Sequence, residues 1–170
     1  MPDHHRISPV GADLGPKMRE AIHALVAAAF GQADEADLVD RLRADGDALV
    51  ELVAEDDGGI VGHILFSPLA TDTGQRFAAL APLSVRPGRQ RRGLGLMLMA
   101  AGLEACRAAG AEAVIVLGHP AYYPRAGFSA RAAKTVRAPF SGPSFMALDL
   151  TPGALERPVS VTYARAFGLG

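Results

Sequence analysis

The apolar positions of this chain switch between a helical and an alternating period, and the switches mark its elements. Met18, Ile22, Leu25, Val26 and Ala29 recur at helical spacing, which predicts a helix capped by Asp13 and running to about Phe30. A second, shorter helix is predicted from Glu35 to Ala44, with Leu38, Val39 and Leu42 on one side and Gly46 near its end. Ile7 to Val10, ahead of both, reads as a short strand. From Ala48 the period drops. Ala48 to Glu55, Ile60 to about Leu69 and Arg76 to Arg86 read as strands, joined by turns at Asp56-Asp57-Gly58-Gly59 and Thr71-Asp72-Thr73-Gly74. Short turns between successive strands make an antiparallel meander. Glu51 and Glu55 alternate with apolar neighbours there, which reads as a solvated strand face.

The helical period returns from Gly93 to Ala109, with Leu94, Met97, Leu98, Ala101, Ala105 and Ala108 on one face and Gly110 as the stop. Ala113 to Leu117 is a continuous apolar run, the pattern of a strand buried on both faces. Strand, helix and buried strand form a right-handed parallel crossover. Beyond Arg131 two more strands are predicted, Ser144 to Leu150 and Val159 to Ala166, while Pro139, Pro143, Pro152 and Pro158 argue against helices. The expected architecture is α+β: one domain over residues 1–170, a mixed, mostly antiparallel sheet with a βαβ crossover, flanked by helices.

Composition narrows the function. A chain of 170 residues with 49% hydrophobic and 21% charged residues is long and apolar enough to bury a core, so disorder is excluded. A formal net charge of −1 gives no general attraction to nucleic acid or to an anionic membrane. The N-terminus lacks an apolar signal core and no run is long enough to cross a bilayer, so neither a membrane nor a nucleic-acid partner is expected. The single cysteine, Cys106, suits a reducing cytoplasm; mid-helix, it reads as inert packing rather than a nucleophile. His4-His5 reads as a solvated end, and no His/Cys/Asp spacing points to a metal.

The chemistry concentrates in Gln90-Arg91-Arg92-Gly93-Leu94-Gly95, between a predicted strand and a predicted helix. Free N–H groups and positive charge at a helix start form an anion site, and Arg86, Arg89, Arg91 and Arg92 around it suit a ligand with several phosphates. Glycine at 93 and 95 lets the backbone approach such a ligand. A dinucleotide fingerprint would need a small residue where Leu98 stands, and a P-loop would need Gly-Lys-Ser/Thr. Neither is present. Pro82 has no N–H, so the preceding strand is either an edge strand or one that bulges and splays.

The pattern Gln90-x-x-Gly93-x-Gly95, after a strand ending Leu83-Ser84-Val85, resembles the GCN5-related N-acetyltransferase family. Tyr123 followed by Gly127-Phe128 is similar to that family's Tyr-x-x-x-Gly-Phe element, so the resemblance spans about Leu80 to Phe128. It implies the acyl-CoA N-acyltransferase fold and acetyl-CoA as co-substrate. Gln90, Arg91, Arg92, Gly93, Leu94, Gly95 and Leu96 would hold the diphosphate. Leu83, Ser84 and Val85 would pair with the pantetheine arm, which inserts like a strand while a backbone N–H polarises the thioester carbonyl. Tyr123 would be the acid for the leaving thiolate, a phenol of reference pKa about 10 against a thiol near 8.5; Tyr122 would stack or pack.

The implied reaction is direct attack of a primary amine on acetyl-CoA in a ternary complex, the acceptor being a small molecule or a peptide. The alternative is an acyl-CoA-binding module or sensor without catalysis. The chain departs from the family in two places. Ala78, Ala79 and Ala81 stand where many members carry a glutamate base, leaving His63, His119 or water for that role. Pro124 biases Tyr123 away from helical geometry, which bears on the reach of its hydroxyl. A homodimer is an open alternative to a monomer.

Overall fold

A computed structural model describes residues 5–11 and 13–169; His4 of the terminal pair lies outside them. The chain runs β1 (Arg6–Pro9), α1 (Pro16–Phe30), α2 (Asp34–Ala44), β2 (Val50–Asp56), β3 (Gly59–Thr71), β4 (Phe77–Val85), α3 (Leu94–Ala108), β5 (Ala113–Leu117), β6 (Val136–Arg137), β7 (Phe145–Asp149) and β8 (Val159–Thr162). The main sheet has the order β1-β2-β3-β4-β5-β7; β8 pairs with the end of β3 and with β6. Within the main order, β4 and β5 are parallel and the other neighbours antiparallel. The expected meander and crossover are both present.

Strand alternation divides the core into layers. Ile64 and Phe66 of β3, Ala78 and Leu80 of β4 and Val114 and Val116 of β5 pack with Leu94, Leu98 and Met99 of α3. On the opposite face, Val53 and Leu65 meet Ile22, Leu25 and Val26 of α1 and Val39 and Leu42 of α2. The rest of that face, around Phe77, Ile115 and Ala147, is covered by Val159 and Val161 of β8.

Several expectations change. Asp13 does not cap α1: Gly15 is the N-cap, no side chain caps the end, and Pro16 opens the helix, where its missing N–H is harmless. On α3 the buried stripe is Leu94, Gly95, Leu98, Met99, Gly102 and Cys106, while Met97 is 49% exposed. Small residues lie against the sheet, and a face chosen by side-chain size misses them. The last strand stops at Thr162 because its pairing with β3 ends at Ala70↔Thr162; Arg165–Phe167 then forms a 3-10 turn against the α1–α2 layer.

The end of β4 positions the site. Its parallel pairing with β5 runs from Phe77↔Ala113 to Leu80↔Val116 and goes no further, while pairing with β3 resumes at Leu83↔Ile64 and continues to Val85↔Gly62. The register shifts between Ile64 and Phe66, so Leu65 alone stands against both Ala81 and Pro82. Of the two readings of Pro82, an interior strand that bulges and parts from its neighbour is the observed one.

Candidate active site

A cleft of about 580 Å³ lies where β4 parts from β5. Leu83 and Val85 form one wall, Arg89, Gln90, Arg91 and Gly93 with the first turn of α3 form the floor, and His119, Tyr122, Tyr123 and Arg125 close the far side. Of the residues singled out in the sequence, Leu83, Val85, Gln90, Arg91, Gly93, Leu94, Gly95, Leu96 and Tyr123 all line it. Ser84 and Arg92 do not. Ser84 stands opposite His63 in the β3–β4 register, so its side chain is buried on the other face of the sheet.

The loop is held by its own polar groups. Gln90 donates to the Val85 carbonyl at 3.2 Å, Arg86 donates to the Ile60 carbonyl, and Arg89 pairs with Asp56 at 2.7 Å. The Gly58 N–H and the Arg89 guanidinium hold the Asp56 carboxyl below its ordinary value. Arg86 and Arg89 therefore brace the loop. Arg91 is exposed at the cleft, makes no ion pair among the described residues, and adopts φ 65°, a left-handed conformation rare for a side chain of its size. Gly93, at φ 82°, is the N-cap of α3 and offers no side chain to its first amides. The N–H groups of Gly93 to Leu96 consequently lack intrahelical partners and share the helix's positive end. Free amides and an unpaired guanidinium at one edge of a cleft make a phosphate-binding arrangement.

The two tyrosines are held differently. Tyr123 opens the 3-10 turn Tyr123–Ala126, so Pro124 does not turn it out of helical geometry; proline in the first turn lacks only an N–H that the turn does not use. Its ring is edge-on to Phe128 at 5.9 Å and lies on Gly118, where an added Cβ would fall 2.3 Å from the ring. Burial and the neighbouring Tyr122 push its phenol up to about 12. Tyr122, at 5.2 Å from Tyr123, reaches across the cleft instead: a Cβ on Gly95 would lie 2.1 Å from its hydroxyl oxygen. Glycine at 95 thus leaves room for the Tyr122 hydroxyl. That contact was not readable from two adjacent tyrosines.

Glu51 corrects the expectation of a solvated face. It is buried, its Oε2 lies 2.8 Å from His63 Nε2, and Arg43 of α2 holds both of its oxygens, at 3.1 and 2.5 Å. Burial acts to raise the Glu51 carboxyl, and the hydrogen bonds from His63 and Arg43 outweigh it, leaving it below its ordinary value. His63 is wholly buried, and its Nδ1, like Ser84 Oγ, has no hydrogen-bond partner among the described residues. A buried polar group left so costs about 1–3 kcal/mol. His119 is exposed at the cleft mouth, and its carbonyl accepts the N–H groups of Tyr122 and Tyr123.

Away from the cleft, His23, Asp37 and Asp40 bring three ligand-type atoms within 4.8 Å of one another, a grouping that sequence spacing had not suggested. Asp40 is already shared between His23 at 2.9 Å and Arg43 at 3.4 Å, which accounts for the cluster as ion pairing. Cys106 is buried, and desolvation raises its thiol to about 12, as inert packing requires. No described helix is long and apolar enough to cross a membrane.

Residues 19–128 match the model of the Acetyltransferase (GNAT) family. The chain is 45% identical over 106 residues to the uncharacterized N-acetyltransferase YjhQ of Escherichia coli K12, a match covering 59% of this chain and 58% of YjhQ. It is 37% identical over 123 residues to the uncharacterized N-acetyltransferase YhbS of the same strain, covering 71% and 74%. The crystal structure of YhbS from Escherichia coli in complex with CoA superposes with a TM-score of 0.85 at 32% identity, covering 99% of this chain and 94% of that one. A GNAT family acetyltransferase from Brucella melitensis in complex with acetyl-CoA gives 0.79 at 33% identity, covering 97% and 99%.

Proposed function

The chain belongs to the acetyltransferase (GNAT) family, and on that premise we propose that it is an acetyl-CoA-dependent N-acetyltransferase acting on a primary amine by direct attack in a ternary complex. One observation carries the reading. The parted end of β4, the uncapped start of α3 and both tyrosines face a single cleft. CoA in YhbS and acetyl-CoA in the Brucella protein support the same choice of co-substrate.

In this reading the diphosphate sits on the amides of Gly93 to Leu96, with Gln90 and Arg91 beside it and the Arg92 charge nearby. The pantetheine arm extends along Leu83, Ser84 and Val85, pairing with backbone groups that β5 leaves unpaired. A β4 N–H polarises the thioester carbonyl as the amine attacks. Tyr123 protonates the departing thiolate. Its raised pKa keeps it protonated through the neutral range, so it serves as an acid and not as a base. The burial that strengthens its hold on the proton also destabilises the thiolate beside it, and the transfer stays feasible. The acceptor is a small-molecule or peptide amine, met by this one domain in the cytoplasm.

The test is release of free CoA thiol from acetyl-CoA across an amine panel, with CoA affinity measured by calorimetry. Amine-dependent release is expected. CoA binding without release on any amine would make the protein a binding module or sensor, and no CoA binding would overturn the site assignment.

A further inference from the structure

Two of the buried atoms without partners among the described residues are neighbours. His63 and Ser84 stand opposite each other in the antiparallel β3–β4 pairing, and side chains so placed share a face with Cβ atoms about 4.5–5.5 Å apart. Ser84 belongs to the stretch of β4 that leaves β5, between the cleft-lining Leu83 and Val85. Behind His63, its other nitrogen meets Glu51, and Glu51 with Arg43 lines a second cavity of about 430 Å³. Ser84, His63 and Glu51 thus form a line across the sheet. It starts at the strand segment that borders the cleft and ends at a separate opening.

A structural tie between α2 and β2 is complete with Arg43 and Glu51 alone. It calls for neither an imidazole with a bare nitrogen nor a buried hydroxyl beside it. Among the described residues, Glu51 is the charged group that His63 meets. α1 contributes Ile22, Leu25 and Val26 to this layer, β2 contributes Glu51, β4 contributes Ser84, and Arg43 acts through Glu51, with Asp40 and His23 beyond it.

Resting on the acetyltransferase reading, we propose that Ser84, His63 and Glu51 form the path by which the acceptor's surplus proton leaves the site. An ammonium acceptor carries three N–H protons. One is lost to expose the lone pair that forms the N–C bond, one ends on the sulfur when the C–S bond breaks with its electron pair, and one stays on the amide. Per turnover, R–NH₃⁺ and acetyl-CoA give the N-acetyl amide, CoA thiol and one H⁺. That H⁺ passes by the Ser84 hydroxyl, or by a water hydrogen-bonded to it, to His63 Nδ1. The imidazolium releases its Nε2 proton toward Glu51 and the second cavity. Arg43 keeps Glu51 anionic, so the proton is passed on rather than retained.

The test is the pH profile of kcat/KM on the best amine, with CoA affinity as a control. His63→Gln should lower kcat by about 100-fold or more and abolish the ascending limb. Glu51→Gln removes the carboxylate that takes the His63 Nε2 proton and should slow transfer with CoA affinity intact. Ser84→Ala, the mildest change, should slow transfer with CoA affinity intact. Nitrogen NMR of the parent should show the Nε2–H tautomer with Nδ1 bare, a readout that does not depend on any variant folding. An Nδ1–H tautomer, or an unmoved limb in a folded His63→Gln protein, would overturn the path while leaving the acetyltransferase reading in place. A parent that binds CoA and acetylates no amine overturns both.

Discussion

At Leu83 to Val85 the sheet has two sides that are built in opposite ways. Toward α3, Leu83 and Val85 border an open cleft whose rim carries exposed charge, and the amides at the start of α3 have no intrahelical partner. Toward α1 and α2, Ser84 and its neighbour His63 are almost wholly out of solvent, and the charges of Glu51 and Arg43 are paired. Multiply charged groups are costly to desolvate, so a phosphate site belongs on the open side. A proton path needs the reverse, a closed line in which water does not short-circuit the transfer. One strand can border both sides because its side chains alternate. The contrast teaches that Leu83-Ser84-Val85 is better read as two half-sites than as one.

The largest effect should come from blocking the open side. Gly95→Glu places a side chain where even a Cβ would meet the Tyr122 hydroxyl, and adds a negative charge at the helix start. At CoA 100-fold above its Kd the parent should gain about 2.7 kcal/mol, roughly 5–10 °C in melting temperature for a chain of this size. The variant should gain nothing, with far-UV circular dichroism unchanged. An equal gain in both proteins would remove the loop from the cofactor site.

How far each side was legible before the structure follows from what alternation can and cannot say. The β5 run Ala113–Leu117 and the meander turns come from local pattern, and the structure has them where the pattern put them. The open side was legible because glycine spacing and arginines are local too. The closed side was not. Alternation puts Glu51 and Val53 on one face of β2 but does not say that α1 and α2 cover that face, so Glu51 read as solvated. Likewise Arg89 and Asp56 meet only through the fold, and which of two adjacent tyrosines reaches α3 depends on the packing of Phe128 and Gly118.

The tyrosines sharpen the comparison from within the cleft. Tyr123→Phe should lower kcat by roughly 100-fold, the low end for a general acid, with little change in CoA affinity, because the hydroxyl acts only as charge develops on sulfur. Tyr122→Phe is the control, and it loses the hydroxyl that sits over Gly95. If Tyr122→Phe alone were slow, the acid would be the residue that reaches the helix start, and Tyr123 would be a packing group.

Among the loop arginines the expected order is uneven. Arg91→Ala should weaken CoA binding by about 1.5–3 kcal/mol, the range for hydrogen bonds to a charged group. Arg89→Ala should cost less, because its guanidinium is held by Asp56 and acts on the ligand only through the shape of the loop. Calorimetry that ranks Arg89 above Arg91 would move the phosphates toward the β2–β3 turn.

The smallest effect belongs to the closed side and appears in stability. The folded-state pKa of Glu51 lies below its unfolded value, near 4.5, so the unfolded chain binds its proton more readily. The carboxylate's contribution is therefore complete above the unfolded value and is lost as pH falls through the folded one. The fall in stability of the parent below about pH 4.5 should be shallower in Glu51→Gln, which has no carboxylate to protonate. Asp56 is held low as well, but its partner Arg89 is about a third exposed, so screening reduces the weight of their pairing. Asp56→Asn should leave the acid limb of the stability curve nearly unchanged. Denaturant titrations from pH 3 to 7 would read both variants. If Asp56→Asn flattened the curve more than Glu51→Gln, acid stability would be set at the open loop, and the Arg43–Glu51–His63 line would lose its claim to be the tightly held side of the sheet.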